Sequence, residues 1–170
     1  ERGLSDELFT LLDQSLAADP DNIDLLYYRA MAGERFDRID ILERDLLAVL
    51  ELDPANADAM NALGYTLADR TDRFAEALQL IQQALAIKPD EAAFIDSLGW
   101  VQYRLKNYAQ AAEHLRRALA LLDNDEVAAH LGEVLWVMGH EAEARAVLDK
   151  ALETAPDSLK LKQVLEQFTP

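Results

Sequence analysis

A chain of 170 residues, 51% hydrophobic, 28% charged and 7% aromatic, is long and apolar enough to bury one sizeable core, which excludes disorder by composition. Six Gly and five Pro are too few for a collagen-like or turn-rich all-β chain, and the lack of Cys excludes a disulfide scaffold, a Cys-based zinc site and a thiol nucleophile. Thirty-two acidic residues against sixteen basic ones give a net charge of -16, which argues against nucleic-acid binding and against attachment to anionic lipid.

The predicted elements are all helical. Residues 5–18 read as an unpaired second helix of an earlier unit. Four helix pairs follow, 23–34 with 38–52, 57–69 with 73–87, 92–104 with 108–122, and 126–138 with 142–154, and a terminal helix spans 158–168. Within a unit, Met60, Leu63, Gly64 and Leu67 fall at the i, i+3, i+4, i+7 spacing of one helical stripe, and Ala77, Ile81, Ala84 and Leu85 form another. Between them, Thr71-Asp72-Arg73 is a polar turn of the length that joins antiparallel helices. Asn22, Asn56 and Asp90 stand where they would cap the next first helix. Asp123-Asn124-Asp125-Glu126 reads as a further cap with acids at the positive helix end, since the spacing of a calcium loop is missing.

These elements repeat. Pro20, Pro54, Pro89 and Pro156 are spaced 34, 35 and 67 apart, the last gap being two periods, and Ala30, Gly64, Gly99 and Gly132 keep the same beat at 34, 35 and 33. So do Ala77, Ala111 and Ala144, and Ala84, Ala118 and Ala151. A glycine inside a helix costs roughly 1 kcal/mol relative to Ala. Its recurrence at Gly64, Gly99 and Gly132 therefore points to close approach of the partner helix, with Ala77, Ala111 and Ala144 as the opposing small surface. The fold class expected is an all-α solenoid, a right-handed stack of antiparallel helix pairs over residues 1–170, with repeats at 23–54, 57–89, 92–122 and 126–156.

The columns Leu98-Gly99-Trp100, Tyr108, Ala111, Leu115 and Ala118, with the recurring proline, resemble the tetratricopeptide repeat across essentially the whole chain. The first pair departs from that pattern, with Arg29 where other units have Leu, and Leu42 and Val49 where they have Ala. A narrower resemblance rests on Asn61-Ala-Leu-Gly-Tyr-Thr-Leu-Ala-Asp-Arg70, Asp96-Ser-Leu-Gly-Trp-Val-Gln-Tyr-Arg104 and His130-Leu-Gly-Glu-Val-Leu-Trp136. These segments are similar to the C-terminal repeats of Gram-negative tetratricopeptide lipoproteins. That likeness implies a periplasmic adaptor, anchored to the outer membrane by an N-terminal lipid, which binds a carboxy-terminal processing protease and presents cell-wall hydrolases to it. The chain opens on Glu1-Arg2-Gly3 and in mid-unit, so further repeats and any targeting signal are expected upstream.

In such arrays the first helix of each pair lines a concave groove, and this assigns the candidate partner-binding residues. The row after each Gly or Ala marker is Met31, Tyr65, Trp100 and Glu133; one turn on are Glu34, Ala68, Tyr103 and Trp136; one turn back are Tyr27, Asn61, Asp96 and Ala129. Tyr27, Met31, Tyr65, Asp96, Trp100, Tyr103, Arg104, Glu133 and Trp136 are the expected docking residues, because aromatics and Arg anchor interfaces. Tyr28, Phe74 and Tyr108 are expected to pack. The row Tyr27, Asn61, Asp96 and Ala129 carries no cation, which disfavours the chaperone-type grip on an acidic C-terminus.

His114, His130 and His140 share no helical metal-binding spacing, and there is no phosphate loop or nucleophile elbow. The expectation is a non-enzymatic scaffold with no catalytic residue, no metal and no cofactor. Self-association through Leu8, Phe9, Leu11 and Leu12 of the unpaired first helix is the alternative, and a cytoplasmic assembly factor a weaker one.

Overall fold

Helix ends fall where the sequence supplies caps and turns. Asn22 Oδ1 accepts from the Leu25 N–H at 3.0 Å, Asn56 Oδ1 from Ala59 at 3.0 Å, and Asn124 Oδ1 from Glu126 and Val127 at 2.8 and 3.3 Å. Asp90 does not cap. Glu91 takes that position without a side-chain bond, and Asp90 instead receives Arg117 Nη2 at 2.8 Å. At the turn inside three pairs one residue adopts the left-handed conformation, Asp37 (φ 58°), Lys106 (φ 65°) or Gly139 (φ 80°). The amide after each bonds back to the first helix, Arg38 to Gly33, Asn107 to Gln102 and His140 to Leu135, closing its last turn.

The structure is a computed structural model that describes residues 2–168. Those residues form ten helices: α1 (Arg2–Ala18), α2 (Ile23–Arg35), α3 (Ile39–Leu52), α4 (Ala57–Arg70), α5 (Phe74–Ile87), α6 (Ala92–Arg104), α7 (Tyr108–Leu121), α8 (Asp125–Val137), α9 (Glu141–Thr154) and α10 (Leu159–Phe168). The first starts three residues earlier than its sequence pattern suggests. No helix among them is long and apolar enough to cross a membrane. The chain divides into two compact units, Glu1–Leu63 and Gly64–Pro170, and the division falls inside α4.

In the first unit α1 packs on α2 and α2 on α3. Phe9 meets Phe36 edge-on at 6.1 Å, and Arg38 lies over the Phe9 ring. The departures seen in the sequence have a structural answer here. Arg29 forks onto the buried Asp45 at 2.6 and 2.9 Å and also reaches Asp13 at 2.6 Å. Leu42 and Val49 are fully buried, so the larger residues fill their columns. This pair also has a close approach at Gly33, where a Cβ would sit 2.9 Å from the Arg38 carbonyl and 3.4 Å from Leu42 Cβ.

In the second unit the recurring glycines do mark close approaches, but the nearest side chains are Ile81, Leu115 and Leu148 rather than those of the alanine column. A Cβ on Gly64 would lie 2.8 Å from Ile81 Cγ1 and 3.0 Å from the Ala77 carbonyl. On Gly99 it would lie 2.6 Å from Leu115 Cγ, and on Gly132 2.6 Å from Leu148 Cδ2. Ala111, Ala112, Leu115, Leu131, Val134, Leu135 and Ala144 form one buried cluster across α7, α8 and α9. Ala128, Ala129, Leu148, Ala151, Leu161 and Val164 continue it onto α10. Burying one such Leu contributes roughly 1.5–3 kcal/mol, and the run of them holds successive pairs together.

Candidate functional site

The second unit gathers polar and aromatic side chains from α4, α6, α8 and α10 on one face. His130 is fully buried, its Nδ1 lying 3.0 and 3.1 Å from the two oxygens of Asp96, itself 6% exposed. A carboxylate there can only accept, so Nδ1 carries the proton. The imidazole stacks on the Trp100 ring at 4.2 Å between centroids, and its Nε2 lies 3.5 Å from the Tyr65 hydroxyl.

Trp100 Nε1–H donates to Asp69 at 3.2 Å, and Arg104 Nη1 donates to the Asp69 carbonyl at 2.8 Å while lying over Phe74. Tyr65 O–H donates to Glu126 at 3.2 Å, and Tyr103 O–H to Glu133 at 2.9 Å. Burial, reinforced by Glu126, Asp69 and Asp96, pushes the Tyr65 phenol well above its ordinary 10; burial and then Glu133 do the same for Tyr103. Both phenols therefore stay protonated donors, unsuited to act as nucleophiles or bases. Among the described residues no group of three His, Cys, Asp or Glu could hold a metal ion.

Six expected docking residues come together here: Tyr65, Asp96, Trp100, Tyr103, Arg104 and Glu133. Their exposure differs from expectation at two points, for Asp96 is 6% exposed against His130 and Trp100 is buried as well. Trp100 is 6% exposed, because His130 and Tyr103 cover its ring and Asp69 takes its N–H. It is a platform beneath the face, not a free anchor. Tyr65, Tyr103, Arg104 and Glu133 are half-buried. Trp136 is half-buried as well, stacked on Phe168 at 5.3 Å, and it rests on the same apolar cluster as Tyr103.

Tyr27 and Met31 belong to the first unit and are described with it. Tyr27 lines a cleft of about 240 Å³ with Ile23, Asp24, Tyr28, Asn56 and Asp58. Met31 lines an apolar one of about 440 Å³ with Leu8, Leu12, Tyr28 and Phe36. Tyr28, expected to pack, is 70% exposed between the two clefts. Phe74 and Tyr108 are half-buried, under Arg104 and beside Tyr103 respectively.

Sequence reasoning missed Glu126, His130 and Lys160 as members of this face. A signal was available for His130. It stands 34 residues after Asp96, one period, so the two occupy neighbouring registers on successive first helices.

The comparisons with known proteins agree with this architecture. Two family models described as tetratricopeptide repeat match residues 102–168 and 43–92, more than half of the chain together. A TPR repeat-containing protein of Pseudomonas aeruginosa is 46% identical over 122 residues, 72% of this chain and 21% of that protein. The bacteriophage adsorption protein A of Escherichia coli is 35% identical over 80 residues, 47% of this chain and 8% of that protein. The chain thus spans about a fifth or less of the length of these curated relatives. The crystal structure of a thermophilic TPR protein of Thermus thermophilus superposes with a TM-score of 0.81 at 26% identity, covering 97% of this chain and 90% of that one. With ten helices in this register, two matching repeat models and that superposition, the chain is a tetratricopeptide-repeat protein.

Proposed function

We propose that the chain is a non-enzymatic interaction scaffold that docks a protein segment on the face formed by α4, α6 and α8 of the second unit. One observation carries this. Tyr65, Tyr103, Arg104 and Glu133 are half-buried, held by hydrogen bonds, and left over from the Gly–Leu packing that joins each pair. Side chains fixed before binding lose little entropy on binding, and Tyr and Arg are the types that anchor interfaces. The finer proposal follows the resemblance of the Asn61, Asp96 and His130 segments to periplasmic lipoproteins. The scaffold then sits in the periplasm, tethered to the outer membrane by a lipid elsewhere in the protein. There it brings a carboxy-terminal processing protease and its cell-wall hydrolase substrates together by raising local concentration. Fractionation of cells expressing the full-length protein tests the location: outer-membrane recovery supports it, and recovery with the cytoplasm overturns it.

A second reading, self-association, is favoured by the first unit. Leu42, Ala77, Ala111 and Ala144 are fully buried, whereas Leu8 in the same register of α1 is 37% exposed, beside Leu11 at 60% and Tyr28 at 70%. Such an uncovered apolar surface pairs readily with another. Light scattering separates the readings: a dimer abolished by Leu11→Glu supports self-association, and a monomer at all concentrations excludes it.

A further inference from the structure

Lys160 is the one lysine that the structure brings to the Trp100 face among the described contacts. Its Nζ lies 5.9 Å from the Trp100 ring centroid and 3.8 Å from Glu126 Oε1. The surroundings are built for a cation. Trp100 is the aromatic whose π-face attracts ammonium and guanidinium groups most strongly, and it is immobilised by His130 and Asp69. Glu126 is oriented by the Tyr65 hydroxyl, and Asp69, Asp96 and Glu133 add negative charge nearby. Arg104, a cation on the same face, is engaged by the Asp69 carbonyl and the Phe74 ring. Lys160 itself is loosely held: its side chain is 39% exposed, and the ion pair to Glu126 is long.

We propose that the corner between Trp100 and Glu126 is a docking site for a lysine or arginine side chain of the protein partner, and that Lys160 fills it while no partner is bound. This rests on the scaffold reading above and names the chemistry it selects. Charge complementarity commits the occupant: a basic segment is drawn to a chain of net charge -16, whereas an acidic one is repelled. Because Lys160 is tethered on α10, it competes at high local concentration, and a partner must displace it. Leu161 and Val164, which seat α10 in the core, take no part in this exchange, so removing the Lys160 charge leaves the helix docked.

The test titrates two synthetic nonapeptides, one with a central Lys-Leu-Lys and one with Gln-Leu-Gln, into the chain and its Lys160→Gln and Lys160→Gln/Glu126→Gln variants. The indole N–H resonance of Trp100 is followed by NMR. The Lys peptide is expected to bind the Lys160→Gln variant at least threefold more tightly than the parent chain, with the gain lost in the double variant and no Trp100 shift from the Gln peptide. Equal affinity for parent and Lys160→Gln, or equal affinity for the two peptides, overturns the cation site. Cross-linking of the full-length protein to a partner from position 103 reads the scaffold itself. If that cross-link forms while Lys160→Gln changes nothing, the cation site fails and the scaffold stands; if both fail, so does the scaffold.

Discussion

His130 and Asp96, 34 residues apart, meet at 3.0 Å beneath Trp100. One repeat period separates them in sequence, and the stacking of α6 against α8 turns that period into contact. The pair supports the underside of the face while Tyr65, Tyr103 and Glu133 form its half-exposed part. Support and recognition are therefore separable by mutation.

Trp100→Ala is expected to lower stability by about 3–5 kcal/mol, the cost of truncating a buried aromatic. Tyr103→Phe, which removes one hydroxyl bonded to Glu133, is expected to cost about 0.5–1.5 kcal/mol. Urea unfolding followed by circular dichroism distinguishes them. Equal effects contradict the division between platform and surface.

Gly99→Ala and Gly132→Ala set two effects against each other. Alanine gains about 1 kcal/mol of helix propensity. Against it stands a Cβ placed 2.6 Å from Leu115 or Leu148, both fully buried, and overpacking costs typically about 1–3 kcal/mol. Both variants are expected to be destabilised, whereas Gly3→Ala, with open space around it, is not. A raised melting temperature for Gly99→Ala refutes close approach as the reason for the glycine column.

Much of the fold was legible because a period of 34 residues is a physical repeat unit: the same columns meet the same neighbours in each pair. The helix pairs, the glycine contacts and the caps at Asn22, Asn56 and Asn124 follow from that. What escaped it lies where one copy departs from the others. Asp90 sits in a capping register, yet Arg117 from the next second helix draws it away. Gly33, which lies outside the glycine column, makes its own close approach to the Arg38 carbonyl and Leu42. Periodicity puts Trp100 on the same side as Tyr65 and Tyr103, but it gives direction and not depth. Its burial depends on which residue the following repeat puts opposite, and that residue is His130.

The Arg29–Asp45 pair offers a stability test in the first unit. Arg29→Ala leaves a buried carboxylate with Arg44 alone, at 2.8 Å, and is expected to cost about 3 kcal/mol. The double change Arg29→Leu/Asp45→Leu restores the leucine that later pairs carry at the Arg29 register and is expected to recover most of that loss. A double variant no better than the single one contradicts the desolvation argument.

His114 gives a pH signature. Burial lowers its pKa below the ordinary 6.5, Glu113 pulling it back and Arg117 adding to the depression. The unfolded chain then binds a proton that the folded chain resists, so stability rises with pH between the folded value and 6.5 and falls on acidification through that window. The melting temperature is expected to drop as the pH falls below 6.5, with a shallower slope in His114→Gln. An unchanged slope contradicts the assignment.

The scaffold reading meets its most direct test in photocross-linking within cells. A benzophenone side chain replaces Tyr103 on the proposed docking face of the full-length protein, and Glu113, exposed on α7, in a control. Irradiation is expected to trap a second protein from position 103 and none from position 113. Adducts from Glu113 alone, or from neither position while the protein is folded and expressed, would contradict a docking role for this face.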